Sequence, residues 1–317
     1  MEKRKLGRSG LEVAPIVFGG NVFGWSVDQA RANALLDRFV ELGFNAIDTA
    51  NSYPRWVPNA LDGESEIIIG KWLKTSGKRD RVLIFTKVGS EISAERKGLS
   101  RRHIIAECEG SLKRLGIDTI DLYQSHRDDS ATPMEETLKA YAELIKAGKV
   151  RAIGASNFSA QRMKQALDAS QRLKLPRYET LQPKYNLYDR TEFEDSLEEF
   201  CLEGEIGVIP FYALANGFLS GKYRSAADFG KSAARGSRMG SYLNERGLKI
   251  LLALDWAASK HNVKPAAIAL AWLIARPSIT APIASATKLE QLEDFADAAR
   301  VQLDRDDLEQ LNLASAG

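Results

Sequence analysis

Four polar residues follow short apolar runs of the chain, and together they could carry out acid–base chemistry on a carbonyl group. Asp48, Lys87 and His126 each close such a run, and Tyr53 lies five residues after Asp48. A phenol, with an unperturbed pKa of about 10, is a poor acid at neutral pH unless a nearby cation stabilises its phenolate. Lys87 could be that cation, and Asp48 could keep it charged in a desolvated pocket. A neutral His126 could then aim a substrate carbonyl at Tyr53, so the set predicts carbonyl reduction with Tyr53 as general acid.

The prediction requires the four residues to meet, because each alone has a more ordinary explanation as a helix cap, a solvated surface charge or a local hydrogen-bonding group. Short runs rich in β-branched residues alternate with amphipathic segments, which is typical of repeated strand–helix units. The runs end near Gly20, Asp48, Lys87, His126, Ser156, Gln182, Phe211 and Ser285. Parallel strands of this number close more naturally as a barrel than as an open sheet, and none is followed by the G-x-G-x-x-G pattern of a Rossmann domain. We therefore predict an α/β protein with a (β/α)8 TIM barrel, in one domain over residues 1–317.

The start of the chain departs from this alternation. Residues 6–16 contain two short strand-like stretches on either side of Gly7-Arg8-Ser9-Gly10, whose glycines suit a hairpin turn. An N-terminal β-hairpin is therefore expected before the barrel.

Composition excludes several other classes of protein. The 44 basic and 42 acidic residues leave a net charge of +2, without the basic surplus of a nucleic-acid binder. Cys108 and Cys201 are the two cysteines, and their separation argues against a disulfide framework or a zinc ribbon, so no metal is expected. The chain has neither an apolar leader nor a run of about 18 apolar residues that could cross a membrane. We expect a cytoplasmic protein with a small-molecule carbonyl substrate and no membrane partner, and the oligomeric state stays open.

Five successive motifs resemble signatures of the aldo-keto reductase family. They are Lys5–Val13, Gly43–Ala50, Phe85–Lys87, Asp121–His126 and Ile153–Phe158, and the resemblance continues to about Leu311. It implies a (β/α)8 barrel that binds NADP(H) without a Rossmann fold and reduces aldehydes or ketones. Asp48, Tyr53, Lys87 and His126 match the catalytic tetrad of that family, with Tyr53 as the general acid.

The resemblance also implies a set of cofactor-binding residues. The hydroxyl and amide groups of Ser156, Asn157 and Gln182 could satisfy the donor and the acceptor of a nicotinamide carboxamide. Phe211 stands where the family usually has a Tyr that stacks on the nicotinamide ring, and its ring could still stack. The segment from Phe211 to Lys222 resembles the loop around the pyrophosphate, and Arg238 is a further candidate phosphate ligand. The complete set is Gly20, Asn21, Asp48, Ser156, Asn157, Gln182, Phe211, Tyr212, Leu214, Asn216, Lys222, Arg238, Ser285, Thr287, Lys288, Gln291 and Asp294.

The segment from Ser285 to Asp294 resembles the family's adenosine-phosphate motif. Its short side chains and backbone N–H groups precede a predicted helix, where an anion is stabilised. Lys288 could add charge for the 2′-phosphate that distinguishes NADP from NAD. Gln291 stands where several branches of the family have a phosphate-binding Arg, so the preference for NADPH over NADH could be modest.

An insertion separates Tyr53 from the Gly63-Glu64-Ser65 segment that family members reach sooner. Residues 54–62 contain two prolines and Trp56, whose flat apolar ring could form a wall of the substrate pocket. We expect this segment at the mouth of the barrel, where it either shapes substrate choice or remains a surface feature without substrate contact.

Two other functions compete with reduction. A Lys at a barrel strand end could form a Schiff base, as in lyases, although that chemistry favours a neutral amine without a carboxylate partner such as Asp48. The same scaffold could also serve as a cofactor-sensing regulatory subunit, as in the potassium-channel β subunits of the family. Because the hairpin begins almost at the first residue and leaves no extension for a partner, we favour the enzyme.

Overall fold

The computed structural model describes residues 1–232 and 235–316. It begins with the expected hairpin, in which β1 (Arg4–Lys5) pairs antiparallel with β2 (Glu12–Val13). The hairpin closes the amino-terminal end of the barrel, because Leu6, Leu11 and Val13 are buried against apolar residues of the barrel strands. A side chain at Gly7, where φ is 58°, would lie only 2.2 Å from the Glu179 carbonyl oxygen, so this close approach requires glycine.

The eight strands that follow form one parallel sheet. They are β3 (Val17–Gly19), β4 (Ala46–Asp48), β5 (Leu83–Val88), β6 (Ile120–Ser125), β7 (Val150–Ser156), β8 (Tyr178–Gln182), β9 (Gly207–Val208) and β10 (Ile283–Ala284). Their spatial order is β10-β3-β4-β5-β6-β7-β8-β9, and every neighbouring pair is parallel. The ring closes between β9 and β10, where the Ile283 N–H donates to the Pro210 carbonyl at 2.9 Å. The predicted (β/α)8 barrel is confirmed.

Seven of the predicted strand ends agree with the structure to within one residue, and the end near Phe211 does not. β9 stops at Val208, and Pro210 has no N–H with which to continue the ladder. Phe211 rejoins the sheet only through an isolated bridge to Lys184.

Helices cover the outside of the barrel. They are α1 (Gln29–Glu41), α2 (Glu64–Ser76), α3 (Arg101–Leu115), α4 (Met134–Lys146), α5 (Ala160–Leu173), α6 (Thr191–Glu194), α7 (Leu197–Glu203), α8 (Glu245–His261), α9 (Pro265–Ala275), α10 (Glu290–Arg300) and α11 (Arg305–Ser315). Short 3-10 helices lie at Gly20–Val22, Arg79–Arg81, Ala215–Ser220, Ala226–Lys231 and Gly236–Ser241. Side chains cap the first turns of α1, α3, α5, α8 and α11, as Ser100 does for α3 and Asn244 for α8.

Apolar residues form two separate layers of core. One layer fills the barrel interior toward the hairpin end, and it includes Val17, Phe85, Leu122 and Ile209. The larger layer lies between the strands and the helices. Among the described residues, no helix is both long enough and apolar enough to cross a membrane. Because the inner apolar layer lies at the hairpin end, polar side chains collect at the opposite end of the barrel, where the strands have their carboxyl ends.

Candidate active site

The carboxyl ends of β4, β5 and β6 bring the predicted catalytic residues to one place. Asp48 is the last residue of β4, Lys87 is next to last in β5, and His126 directly follows β6. Tyr53 lies in the turns after β4, and its ring centroid is 5.6 Å from that of His126. The structure thus assembles all four residues of the predicted tetrad.

Lys87 and Asp48 form a buried ion pair at the base of the site. The Lys87 ammonium donates to Asp48 Oδ2 at 2.6 Å and to the Thr49 carbonyl at 2.8 Å, and its side chain is fully buried. Burial alone would lower the pKa of Lys87, but the adjacent Asp48 carboxylate more than offsets it and raises the pKa above its usual value. The lysine is therefore charged at neutral pH.

Two glutamine amides hold the other oxygen of Asp48. Gln182 Nε2 donates to Asp48 Oδ1 at 3.0 Å, and Gln124 Nε2 donates to the same oxygen at 3.2 Å. Gln182 was predicted as a cofactor ligand, whereas no role was predicted for Gln124. The sequence clue to Gln124 is a polar residue inside the apolar run that forms β6. In the structure it is buried and pairs in register with Lys87 of β5. These amides fix the carboxylate that holds Lys87.

Tyr53 lies over the charged pair. The Lys87 ammonium is 4.9 Å from the centroid of the half-buried Tyr53 ring. Burial raises the pKa of Tyr53 above 10, the charge of Lys87 acts in the opposite direction, and Asp48 adds to the increase. The expected acidification by Lys87 is thus present but smaller than the effect of burial. Tyr53 keeps its proton at neutral pH, as a proton donor must.

His126 is neutral in this environment. Burial lowers its pKa well below 6.5, and the positive charges of Lys87, Arg127 and Arg55 lower it further. Its Nδ1 is buried and has no hydrogen-bond partner among the residues that the structure describes. Because a buried N–H without an acceptor is rarer in proteins than an acceptor without a donor, we assign the proton of the neutral imidazole to Nε2, from which it can donate a hydrogen bond.

The predicted nicotinamide ligands lie beside the tetrad and are tied to it. Asn157 Nδ2 donates to the His126 carbonyl at 2.9 Å and to Ser156 Oγ at 3.0 Å, and Ser156 Oγ donates to the Gln182 carbonyl at 2.9 Å. Asn157 adopts a left-handed conformation with φ of 57°, which Asn tolerates better than most residues. Both N–H bonds of the Gln182 amide are engaged, by Asp48 and Gln124, so its Oε1 remains to accept a hydrogen bond.

The ends of β3 and β10 meet on the other side of the barrel. Ser285 Oγ donates to Asn21 Oδ1 at 2.6 Å. Gly20 packs so closely that a Cβ there would lie 3.0 Å from the Asp48 carbonyl oxygen. Three predicted cofactor residues therefore border a narrow space next to the tetrad.

The loop after β9 has a strained backbone. Tyr212, Ala215 and Asn216 have φ of 58°, 46° and 57°, and Gly217 follows with φ of 96°. Successive residues of this kind turn backbone N–H groups to one side and form concavities that bind anions. Phe211 and Tyr212 lie edge to face at 5.0 Å, and Leu214 accepts the Gly217 N–H at 2.8 Å.

One side chain of this loop is held by a later segment, and a cation lies beside the loop. Asn216 Nδ2 donates to the Tyr242 hydroxyl at 3.2 Å. The Lys222 ammonium lies 3.7 Å from where a Cβ of Gly217 would be, and within the described residues it has no carboxylate partner. The loop therefore has a cation beside its left-handed turn, while the N–H groups of Ala215 and Gly217 donate to the carbonyls of Tyr212 and Leu214.

The amino-terminal end of α10 differs in detail from the expected anion site. Gln291 Oε1 accepts the backbone N–H groups of Thr287 at 2.7 Å and Lys288 at 3.1 Å. The helix thus caps itself with the side chain of Gln291, which must move before a phosphate can take the same N–H groups. Asp294 is paired with Lys264 at 2.8 Å, and burial raises its pKa while Lys264 opposes that change.

Arg238 is the predicted residue least connected to the others. It lies exposed in the 3-10 helix Gly236–Ser241 and has no ion pair with the described part of the chain. Arg235, three residues earlier, was not predicted, yet its guanidinium lies 5.8 Å from the Trp25 ring centroid. The sequence offered no signal for that contact, because it depends on how the loop after β9 crosses the barrel mouth toward Trp25.

The insertion at residues 54–62 lies at the mouth, as predicted. The Trp56 ring is 5.4 Å from the ring of Tyr53 and 5.6 Å from the ring of Trp25. Arg96 anchors the end of the insertion, since it donates to Asp62 at 2.6 Å and to Glu107 at 2.8 Å. Trp56 thus forms an aromatic wall directly beside Tyr53.

Comparison with known proteins agrees with this geometry. A model of the Aldo/keto reductase family matches residues 15–315. Uncharacterized oxidoreductase YrpG of Bacillus subtilis (strain 168) is 35% identical, over 98% of this chain and 95% of that protein. A probable voltage-gated potassium channel subunit beta of Oryza sativa subsp. japonica is 34% identical, over 92% and 89%. L-glyceraldehyde 3-phosphate reductase of Escherichia coli (strain K12) is 30% identical, over 94% and 87%. The chain therefore belongs to the aldo/keto reductase family of oxidoreductases.

Proposed function

We propose that this protein is a single-domain NADP(H)-dependent reductase that converts aldehydes or ketones to alcohols. The observation that carries the proposal is the position of Tyr53, over the buried Lys87–Asp48 pair and edge to face with a neutral His126. A surface lysine or a capping aspartate would not be buried as an ion pair next to a tyrosine hydroxyl. Burial of such a pair is costly unless its geometry is good, which favours a functional reason for it.

Each of the four side chains has a distinct role in this proposal. Nε2 of His126 donates a hydrogen bond to the substrate carbonyl oxygen and positions it near Tyr53. Tyr53 gives its proton to that oxygen as negative charge develops there. Lys87 stabilises the phenolate that remains, and Asp48 holds Lys87 charged and in place. The phenolate then regains a proton from solvent, so one hydride and one proton are consumed for each alcohol formed.

The residues around the tetrad fit a nicotinamide cofactor. The free acceptor Oε1 of Gln182 and the remaining lone pair of Ser156 Oγ suit the N–H groups of a carboxamide. The loop at residues 212–217 with Lys222 suits a pyrophosphate. When bound, NADPH supplies the hydride for the carbonyl carbon. Lys288 and Arg238 are exposed cations on the phosphate side and support NADPH over NADH, whereas Gln291 supports only a modest preference. The potassium-channel relative makes a regulatory subunit the second candidate.

The test replaces Tyr53 with Phe, which removes only the donated proton. We expect Tyr53→Phe to bind NADPH with unchanged affinity, measured by quenching of tryptophan fluorescence, and to lose roughly 100- to 10,000-fold in the rate of aldehyde reduction, as expected for a lost general acid. Tyr123→Phe is the matched control, because its buried hydroxyl has no partner among the described residues. Full turnover by Tyr53→Phe would refute the proton-donor role. NADPH binding without turnover of any aldehyde by the unmodified protein would favour the regulatory subunit.

A further inference from the structure

Two arginines at the mouth of the barrel have no role in the proposed reduction. Arg55 lies in the insertion, two residues after Tyr53, and Arg127 directly follows His126. Both side chains are exposed, and neither forms an ion pair or a side-chain hydrogen bond with any residue that the structure describes. Other exposed arginines, such as Arg238, also lack a carboxylate partner among the described residues, so what distinguishes Arg55 and Arg127 is their position next to Tyr53 and His126 in the chain.

The two arginines are close neighbours in the chain of the two residues that would hold a substrate carbonyl. The rings of Tyr53 and His126 are 5.6 Å apart, and each arginine is within two residues of one of them. Their positive charges also reach the imidazole, because both contribute to the lowered pKa of His126 after burial and Lys87. A substrate whose carbonyl oxygen lies between Tyr53 and His126 therefore extends outward into a field set by these arginines.

Nearby carboxylates neutralise that field only in part. Asp62 is paired with Arg96 at 2.6 Å, and Asp128 is paired with Arg162 at 2.8 Å. Asp129 accepts hydrogen bonds only from neutral donors among the described residues, the Leu99 N–H and groups of its own turn, so its charge offsets one of the two arginine charges. The mouth consequently has an excess of positive charge, which favours the approach and binding of anions.

The position of the two arginines separates them from the proposed phosphate ligands. Arg55 and Arg127 follow β4 and β6, on either side of β5. In the closed ring β5 lies opposite β9, and the loops after β9 and β10 carry Lys222 and Lys288. A cofactor whose phosphates lie along that far side leaves Arg55 and Arg127 for another anion.

We infer that the substrate is a carbonyl compound that carries a carboxylate or phosphate group, and that Arg55 and Arg127 bind this anion. The inference rests on the proposed reductase function. A guanidinium binds either anion through two parallel hydrogen bonds, which fixes orientation as well as position. Trp56 contacts the ring of Tyr53, so in this inference the carbon chain or ring of the substrate packs against its indole. The two arginines are thus specificity-determining residues rather than catalytic ones.

The test compares an anionic aldehyde with a neutral one of the same shape. Reduction of 4-carboxybenzaldehyde and of its methyl ester is measured with the unmodified protein, Arg55→Gln, Arg127→Gln and the double variant. Glyceraldehyde 3-phosphate and glyceraldehyde form a second pair, which shows whether a phosphate serves as well as a carboxylate. Each variant is compared with the unmodified protein on the same substrate, so differences in intrinsic aldehyde reactivity cancel.

A binding measurement and two controls complete the design. Binding of 4-carbamoylbenzoate, which has an amide in place of the aldehyde, is followed by tryptophan fluorescence without turnover. Lys113→Gln removes one positive charge from the last turn of α3, at the opposite end of the barrel. Arg55→Lys keeps the charge but loses the two-pronged geometry, so it should recover part of the loss.

We expect each Gln variant to lower kcat/KM for at least one anionic aldehyde roughly tenfold, mainly through KM, because a charge-assisted contact is lost. Binding of 4-carbamoylbenzoate should weaken in parallel if the carboxylate is the anion, neutral aldehydes should change less than threefold, and Lys113→Gln should behave like the unmodified protein. Equal losses for anionic and neutral aldehydes, or no loss for either, would overturn the inference while the reductase function stands. Failure of the unmodified protein to reduce any of the four aldehydes would instead refute the proposed function and this inference with it.

Discussion

The buried Lys87–Asp48 pair gives the most quantitative prediction for the stability of this protein. We expect Lys87→Met and Asp48→Asn each to lower the free energy of unfolding, but by unequal amounts. Removal of Lys87 leaves the Asp48 carboxylate with the amides of Gln124 and Gln182. Removal of the Asp48 charge leaves a fully buried ammonium with the Thr49 carbonyl at 2.8 Å and a neutral amide oxygen. Asp48→Asn should therefore destabilise the fold more.

The magnitude follows from the cost of breaking a buried ion pair, which is about 3–5 kcal/mol when one partner is removed. We place Lys87→Met near the lower limit, since two amide donors remain, and Asp48→Asn near the upper limit. The double variant has no unpaired charge, so it should be about 2–3 kcal/mol more stable than the sum of the two single losses predicts.

The assay is urea unfolding at pH 7.5, followed by tryptophan fluorescence and circular dichroism, on a complete double-mutant cycle. Lys164 and Asp168 on α5 provide the matched control, because their ion pair is 2.7 Å long and both side chains are more than 60% exposed. The same two substitutions there should show a coupling of about 0.5 kcal/mol or less. The coupling is refuted if the losses of the two single variants sum to the loss of the double variant to within about 0.5 kcal/mol.

Three further predictions concern the same site. In alcohol oxidation Tyr53 must act as a base, so the rate rises with pH as Tyr53 loses its proton. Lys87→Met should move this rise to higher pH, because the charge of Lys87 lowers the pKa of Tyr53. An unchanged pH–rate profile would contradict this prediction. His126→Asn should reduce the fall in the free energy of unfolding below pH about 6.5, since the unfolded histidine takes up a proton there and the folded one does not. Urea titrations at pH 5 and pH 7.5 measure that fall, and the same fall in the variant and the unmodified protein would count against the prediction. Lys288→Ala and Arg238→Ala should each weaken NADPH binding roughly tenfold and NADH binding less, and equal weakening in fluorescence titrations would remove them from 2′-phosphate recognition.

The strand ends and the tetrad could be predicted because their determinants are local. An apolar run that closes with a polar residue shows where a barrel strand ends, and parallel strands carry those residues to the same end of the barrel. Asp48, Lys87 and Gln182 were predictable in this way. Phe211 was misplaced as a strand end because the run continued through Pro210, where the backbone donor is lost.

Contacts that depend on side-chain direction could not be predicted. The spacing of Thr287 and Gln291 showed that a helix begins between them, but not that the glutamine folds back to cap it. Gln124 appeared in a motif as a polar residue of a strand, yet its contact with Asp48 depends on the register between three strands. Arg235 depends on the path of a loop across the barrel. Each contact is set by tertiary packing rather than by local pattern.

The electrostatics of the tetrad explain how Tyr53 can be both proton donor and stable phenol. If Lys87 were unpaired, its charge would acidify Tyr53 strongly and favour loss of the proton before the substrate arrives. Because Asp48 neutralises much of that charge at 2.6 Å, burial dominates and the pKa of Tyr53 stays raised. The developing alkoxide of the product is a stronger base than a phenolate, so the proton still moves toward it during reduction. Lys87 then stabilises the phenolate that remains, and it does so without an uncompensated charge in the resting protein.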